Sequence, residues 1–145
     1  MKRFQFPLDR VRRWRGEQAD LEEAKLQQLW GQLAALGQEK TRVKSAGAES
    51  ARKILEQPAM EPQDLQALDA YRLHVRRRIG QIENRERELG ARIEEQRGRL
   101  MEARRRAELL ERLKARKWGE WQALADREEE TLAGELYLAG AKWKR

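Results

Sequence analysis

Residues 65–124 read LQALDAYRLHVRRRIGQIENRERELGARIEEQRGRLMEARRRAELLERLKARKWGEWQAL, and one seam runs through the whole stretch. Alternate steps of three and four from Leu65 land on Leu68, Arg72, Val75, Ile79, Ile82, Glu86, Leu89, Ile93 and Gln96. The same stepping continues through Leu100, Ala103, Ala107, Leu110, Lys114, Lys117, Trp121 and Leu124. Most of these side chains are apolar, and those between them are mainly Arg, Glu and Gln. A repeat of 3.5 residues held over about eight heptads is the pattern of a left-handed coiled coil. The stripe is too narrow to be the core of a globule. It therefore predicts one long helix that needs a partner helix to cover it.

The partner lies upstream. From Leu8 the apolar spacing is helical but looser, through Val11, Trp14, Leu21, Leu26, Leu29, Leu33, Leu36 and Val43. It thins at Ala46-Gly47-Ala48 and recovers at Ile54-Leu55, so a first helix is read over residues 8–57. Pro58-Ala59-Met60-Glu61-Pro62 is the one clear breaker. A proline disfavours the helical conformation in the residue before it, which stops the first helix at Gln57. Pro62 suits the first turn of a second helix, because its missing N–H would have had no intrahelical partner there. A connection this short makes antiparallel neighbours.

The expected fold is all-α: an antiparallel two-helix coiled-coil hairpin, one elongated domain over residues 1–145, with the second helix spanning residues 62–140. At a rise of 1.5 Å per residue the first helix is on the order of 75 Å long and the second roughly 115–120 Å. Folding near residue 60 sets Leu8 beside residue 112, so the C-terminal end of the second helix overhangs. The same register sets Trp30 opposite Gly90, a large side chain against none. Glu-to-Arg pairs at i,i+4 fall at 83/87, 88/92, 95/99, 102/106 and 108/112, each worth roughly 0.3 kcal/mol. Beyond Arg112 come Gly119, Gly134 and Gly140, each costing about 1 kcal/mol relative to alanine in a helix. The overhang is expected to fray until a partner orders it.

Composition narrows the function. Charged residues make up 39% of the chain and aromatics 6%, a balance suited to a rod with much surface. With no cysteine there is no disulfide framework and no thiolate metal site. No apolar run is long enough to span a bilayer, and no apolar segment follows the basic start to make a secretory signal. These features point to a cytosolic protein. The only histidine, His74, lies beside the seam as a solvated helix residue, and no Gly-Lys-Ser or Gly-Lys-Thr phosphate loop is present. A two-helix rod encloses no pocket that would shift carboxylate pKa values. The reading is of a protein that is not an enzyme, with no cofactor, metal or small-molecule substrate.

The net charge of +7 is unevenly placed. Residues 2–15 hold six cations and one anion, and residues 97–117 hold nine and three. In the hairpin these blocks lie side by side at the open end, with Arg76-Arg77-Arg78 nearer the turn. Trp14 and Trp30 are placed over the seam, while Trp118 and Trp121 fall where the first helix runs out and Trp143 is near the C-terminus. Exposed tryptophan among arginines has the composition of a contact surface. Packing against Phe4, Phe6 and Trp14 would explain the same tryptophans equally well.

The opening Met1-Lys2-Arg3-Phe4-Gln5-Phe6-Pro7-Leu8-Asp9-Arg10-Val11 resembles the start of flagellar FliJ proteins. The stretch Leu110-Glu111-Arg112-Leu113-Lys114-Ala115-Arg116-Lys117, followed by Glu120-Trp121 and Arg127-Glu128-Glu129, is similar to that family's C-terminal part. One departure is Ala133-Gly134-Glu135, where the family usually carries an acidic pair. The resemblance implies a non-catalytic stalk of the bacterial flagellar type III export apparatus, an antiparallel coiled coil similar to the ATP synthase gamma subunit. It implies an open end that inserts into the export ATPase hexamer and promotes its assembly and activity. Further implied partners are the cytoplasmic domain of the export gate and the export chaperones, with the chain cytoplasmic and peripheral at the inner membrane. By position, the ring-contact candidates are Arg12, Arg13, Trp14, Arg112, Arg116, Lys117, Trp118 and Trp121. Tyr71 falls near an aromatic position the family uses, so Leu68, Tyr71 and Val75 are candidates for the gate side, with in-seam packing the alternative for Leu68 and Val75.

Two other readings remain open on the residues alone. One is a basic coiled coil that neutralises nucleic-acid phosphates, which would bind with steep salt dependence but has no base-reading module here. The other is a structural coiled coil that oligomerises. The stalk reading expects a monomeric chain when free.

Overall fold

A computed structural model describes residues 2–144. The chain is an all-α helical hairpin of two helices, α1 (Asp9–Leu55) and α2 (Pro62–Trp143), with no strand among the described residues.

The helix ends follow from local chemistry. Asp9 opens α1, where its carboxylate meets the positive end of the helix dipole, and Arg52 and Lys53 occupy the last turn, where cations are favoured. Gln57 closes α1 with a tight N–H to the carbonyl of Ile54 at 3.3 Å, just before Pro58. Glu61 caps α2: its N–H donates to the Asp64 carboxylate at 3.2 Å, one arm of a capping box, while Pro62 fills the first helical position. α2 then continues through Gly119, Gly134 and Gly140 to Trp143.

Contacts divide the chain into two units. The first runs Leu21–Leu100 and pairs most of α1 with the first part of α2. Its core is Leu26, Leu68, Ile82, Leu89, Ile93 and Leu100, with Leu29 and Leu33 packed against Leu26, Ile93 and Leu100. Every buried residue of α2 lies on the seam read from the sequence. The seam's ends behave differently: Leu65 is 45% exposed, and Arg72 keeps its charged head in water.

Polar residues in the seam fix the register of this unit. Gln96 is 95% buried, and its amide donates to the Glu22 carbonyl at 3.0 Å and to the Glu22 carboxylate. That bond from Gln96, with help from Lys25, holds the Glu22 carboxyl below its usual range. Glu86 accepts from Lys40 at 3.1 Å, and Arg78 pairs with Glu39. Glu22 meets Gln96, Lys40 meets Glu86 and Gly47 meets Val75, so partner numbers fall along α2 as they rise along α1, which makes the pair antiparallel. A polar seam residue is satisfied only in one alignment, so each such pair penalises a slipped register.

Trp30 does not fill a gap over Gly90. A Cβ built on Gly90 meets nothing within 4 Å, and Trp30 is 42% exposed. Leu29 and Leu89 take the inward positions, and the residue after each is turned about 100° away around its helix. Close approach occurs instead at Gly47, where an added Cβ would stand 3.3 Å from both Val75 methyls. Gly90→Ala therefore gains helix propensity with no clash, and should raise stability by about 1 kcal/mol in urea unfolding. Gly47→Ala should gain less, because Val75 must give way.

The second unit combines the chain up to Asp20 with the chain from Met101 on. Here Ala103, Ala107, Leu110, Leu113, Lys114 and Trp121 of α2 are half-buried beneath the start of α1 and the arm before it. From Asp126 to Lys144 every residue is exposed, including Leu132, Leu136, Tyr137, Leu138 and Trp143.

Candidate functional site

The second unit gathers the ring-contact candidates. Its N-terminal arm, residues 2–8, is non-helical and lies against α2. Phe4 meets Trp118 edge-on at 5.1 Å and Trp121 at 6.0 Å, while the two tryptophans stack on each other at 5.1 Å. Trp118 and Trp121 are three residues apart on α2, which places both rings on one helix face. The Trp121 indole N–H donates to the Lys2 carbonyl at 3.1 Å, tying down the arm's backbone as well as its ring. Beside them an apolar groove of about 690 Å³ runs between Phe4, Phe6, Leu8, Leu113, Trp121 and Leu124, with Lys2 and Lys117 among its cations.

An ionic node holds the start of α1 in this unit. The Asp9 carboxylate accepts from Arg12 at 2.9 Å and from Lys114 at 3.1 Å, and pairs with Arg13 at 3.0 Å. Arg12 also donates to Glu111 at 2.7 Å, so one guanidinium bridges both helices. The bonds from Arg12 and then Lys114 hold the Asp9 carboxyl down at about 2, and those to Glu111 and Asp9 raise the Arg12 guanidinium. Since the folded value lies below the ordinary 3.8, the node's contribution is complete above that value and is lost as pH falls through about 2. Acid titration followed by hydrogen exchange at the start of α1 should show this loss between those limits, and Asp9→Asn should remove the pH dependence.

The candidates differ in how free they are. Arg12 is committed to the node, whereas Arg13 is mostly exposed. Trp14 is 48% exposed and does not join the Phe4 cluster; the Arg15 guanidinium lies over its ring at 4.6 Å instead. Arg112 pairs with Glu108 at 2.7 Å, Lys117 with Glu120 at 3.3 Å and Arg116 with Glu120 at 4.0 Å, all on the solvent face. Exposed pairs of this kind hold a side chain by only about 0.2–1 kcal/mol, so an incoming carboxylate can displace them. Trp118 keeps 44% of its surface exposed beside Phe4.

The gate-side candidates lie in the other unit. Leu68 is buried at 2% exposure, Val75 packs against Gly47, and Tyr71 is half-exposed beside them. Packing of Phe4 on Trp118 and Trp121 is one of the two readings the sequence allows, whereas Asp9 as the ionic hub is not read there. The local signal for Asp9 was there, in arginines three and four residues on.

Among the described residues no group of His, Asp and Glu side chains is placed to hold a metal ion, and no helix is long and apolar enough to cross a membrane. Comparison with curated proteins and with solved structures finds no match. The family model described as "Flagellar FliJ protein" matches residues 4–139, from the arm's Phe4 to within a few residues of the end of α2. The chain belongs to the flagellar FliJ family and is a component of the flagellar export apparatus.

Proposed function

We propose that this chain is the non-catalytic stalk of the cytoplasmic export machinery, coupling the export ATPase hexamer to the export gate at the inner membrane. The unit that carries the arm enters the ATPase ring and promotes its assembly and activity. Contacts come from Arg13, Trp14, Arg112, Arg116, Lys117 and Trp118, while Arg12 and Trp121 hold the arm and α1 in place behind them. The gate's cytoplasmic domain engages the side marked by Tyr71, with Leu68 and Val75 beneath it. Export chaperones are further partners, and the free chain is a monomer that takes up no cofactor and hydrolyses no nucleotide.

The observation that carries this reading is the family match across residues 4–139. The arm supports it: aromatic and cationic side chains are brought together on a short surface, as interface energetics favour. The test is sedimentation of the cognate export ATPase with and without the chain. A larger hexamer fraction with the chain is expected, reduced by Arg112→Ala combined with Arg116→Ala. Unchanged assembly together with tight, steeply salt-dependent DNA binding would favour a nucleic-acid role instead.

A further inference from the structure

In the Leu21–Leu100 unit, the small residues Gly47, Ala48 and Ala51 of α1 face Tyr71, Val75 and Ile79 of α2 and leave a groove of about 340 Å³. This is where the apolar pattern of the first helix thins. Lys44, Arg72 and Arg76 rim the groove, and no carboxylate lines it. Elsewhere in the chain Lys40, Arg78, Arg99, Arg105 and Arg112 are paired with acids. The side chains of Lys44, Arg72 and Arg76 make no hydrogen bond or ion pair to any described residue. Their stems extend the apolar walls while their charges stay in water.

We propose that this groove docks an acidic segment of a partner protein. An apolar side chain seats between Ala48, Ala51 and Val75 beside the Tyr71 ring, and flanking carboxylates meet Lys44, Arg72 and Arg76. Unpaired cations around an apolar floor give such a segment both an anchor and a charge match without breaking any existing ion pair. A neutral apolar segment would gain only the floor, and a basic one would be repelled. This deepens the gate-side reading, on which it rests for the identity of the partner, and states the chemistry that partner must carry.

The experiment uses the full chain and two probes. One is the purified cytoplasmic domain of the cognate export gate. The other is a fluorescein-labelled peptide of repeated Glu-Glu-Leu-Leu units, with its Gln-Gln-Leu-Leu counterpart as control. The gate domain should bind, and Arg72→Glu combined with Arg76→Glu should weaken binding at least about tenfold, as should raised salt. The Glu peptide should compete with the gate domain and the Gln peptide should not. Tyr71→Ala should weaken binding without changing its salt dependence, and circular dichroism should show unchanged helicity in each variant. Gate binding indifferent to the charge reversal overturns the acidic-partner inference and leaves the gate reading standing. Failure of the gate domain to bind, with the Glu peptide still binding through Arg72 and Arg76, overturns the gate reading alone. Failure of both probes overturns both, and a groove that takes anionic vesicles or duplex DNA but neither probe overturns the assignment to a protein partner.

Discussion

Ile82→Ala is expected to lower the stability of the helix pair by about 2–5 kcal/mol, the cost of deleting a fully enclosed aliphatic side chain and leaving a cavity. Ile82 has 0% exposure, the lowest value in the core, so its surroundings cannot collapse onto water. Urea unfolding followed by circular dichroism at 222 nm should show the midpoint fall with little change in slope. Met101→Ala is the matched control. Met101 follows the buried Leu100 by one residue yet is 71% exposed, and its loss should cost less than about 0.5 kcal/mol. Comparable losses at both positions would mean that the seam does not carry the stability of the pair.

Trp121→Ala is expected to release the N-terminal arm. The substitution removes the hydrogen bond to the Lys2 carbonyl, the Phe4 contact and the stack on Trp118 together. Aromatic pairs contribute about 0.5–1.5 kcal/mol beyond area burial, and a neutral hydrogen bond about 0.5–1.5 kcal/mol. Even part of that sum is large for a short arm with no helix or sheet of its own. The fraction of time the arm is open should rise about tenfold or more, and limited trypsin cleavage after Lys2 and Arg3 should accelerate in proportion. The Asp9 node is untouched by this substitution, so hydrogen exchange within α1 beyond Arg12 should stay protected. Phe4→Ala should act in the same direction with smaller effect, because Trp121 can still hold the Lys2 carbonyl. Unchanged cleavage in Trp121→Ala would show that the arm is held by something other than its aromatic contacts.

What the sequence could disclose was set by periodicity. Stepping from Leu65 picked out every buried residue of α2, because one helical stripe facing one partner has a period that can be counted. The same counting does not tell a seam position from its neighbour on the looser first helix. Counting therefore sets Trp30 over Gly90, although Leu29 and Leu33 are the inward pair and Trp30 lies around the helix from them. Gln96, Glu86 and Lys114 read as blemishes in an apolar seam. Their roles depend on Glu22, Lys40 and Asp9 arriving opposite them, which only the register supplies. The arm is aperiodic, so periodicity says nothing of where it lies. Packing against Phe4 was one of two readings for Trp118 and Trp121, and it is the contact they make. It leaves Trp118 44% exposed, so a contact surface and local packing coexist on one ring.

The proposal that the arm-bearing unit works inside the export ATPase ring is tested most directly by the ATPase rate of the cognate enzyme. The rate should be measured alone, with the intact chain, and with the chain truncated after Arg112. Truncation removes Lys114 from the Asp9 node, along with Trp118 and Trp121, while leaving all of Leu21–Leu100 in place. Stimulation by the intact chain that disappears on truncation is the expected result. No stimulation by the intact chain, or equal stimulation by the truncated one, would contradict it.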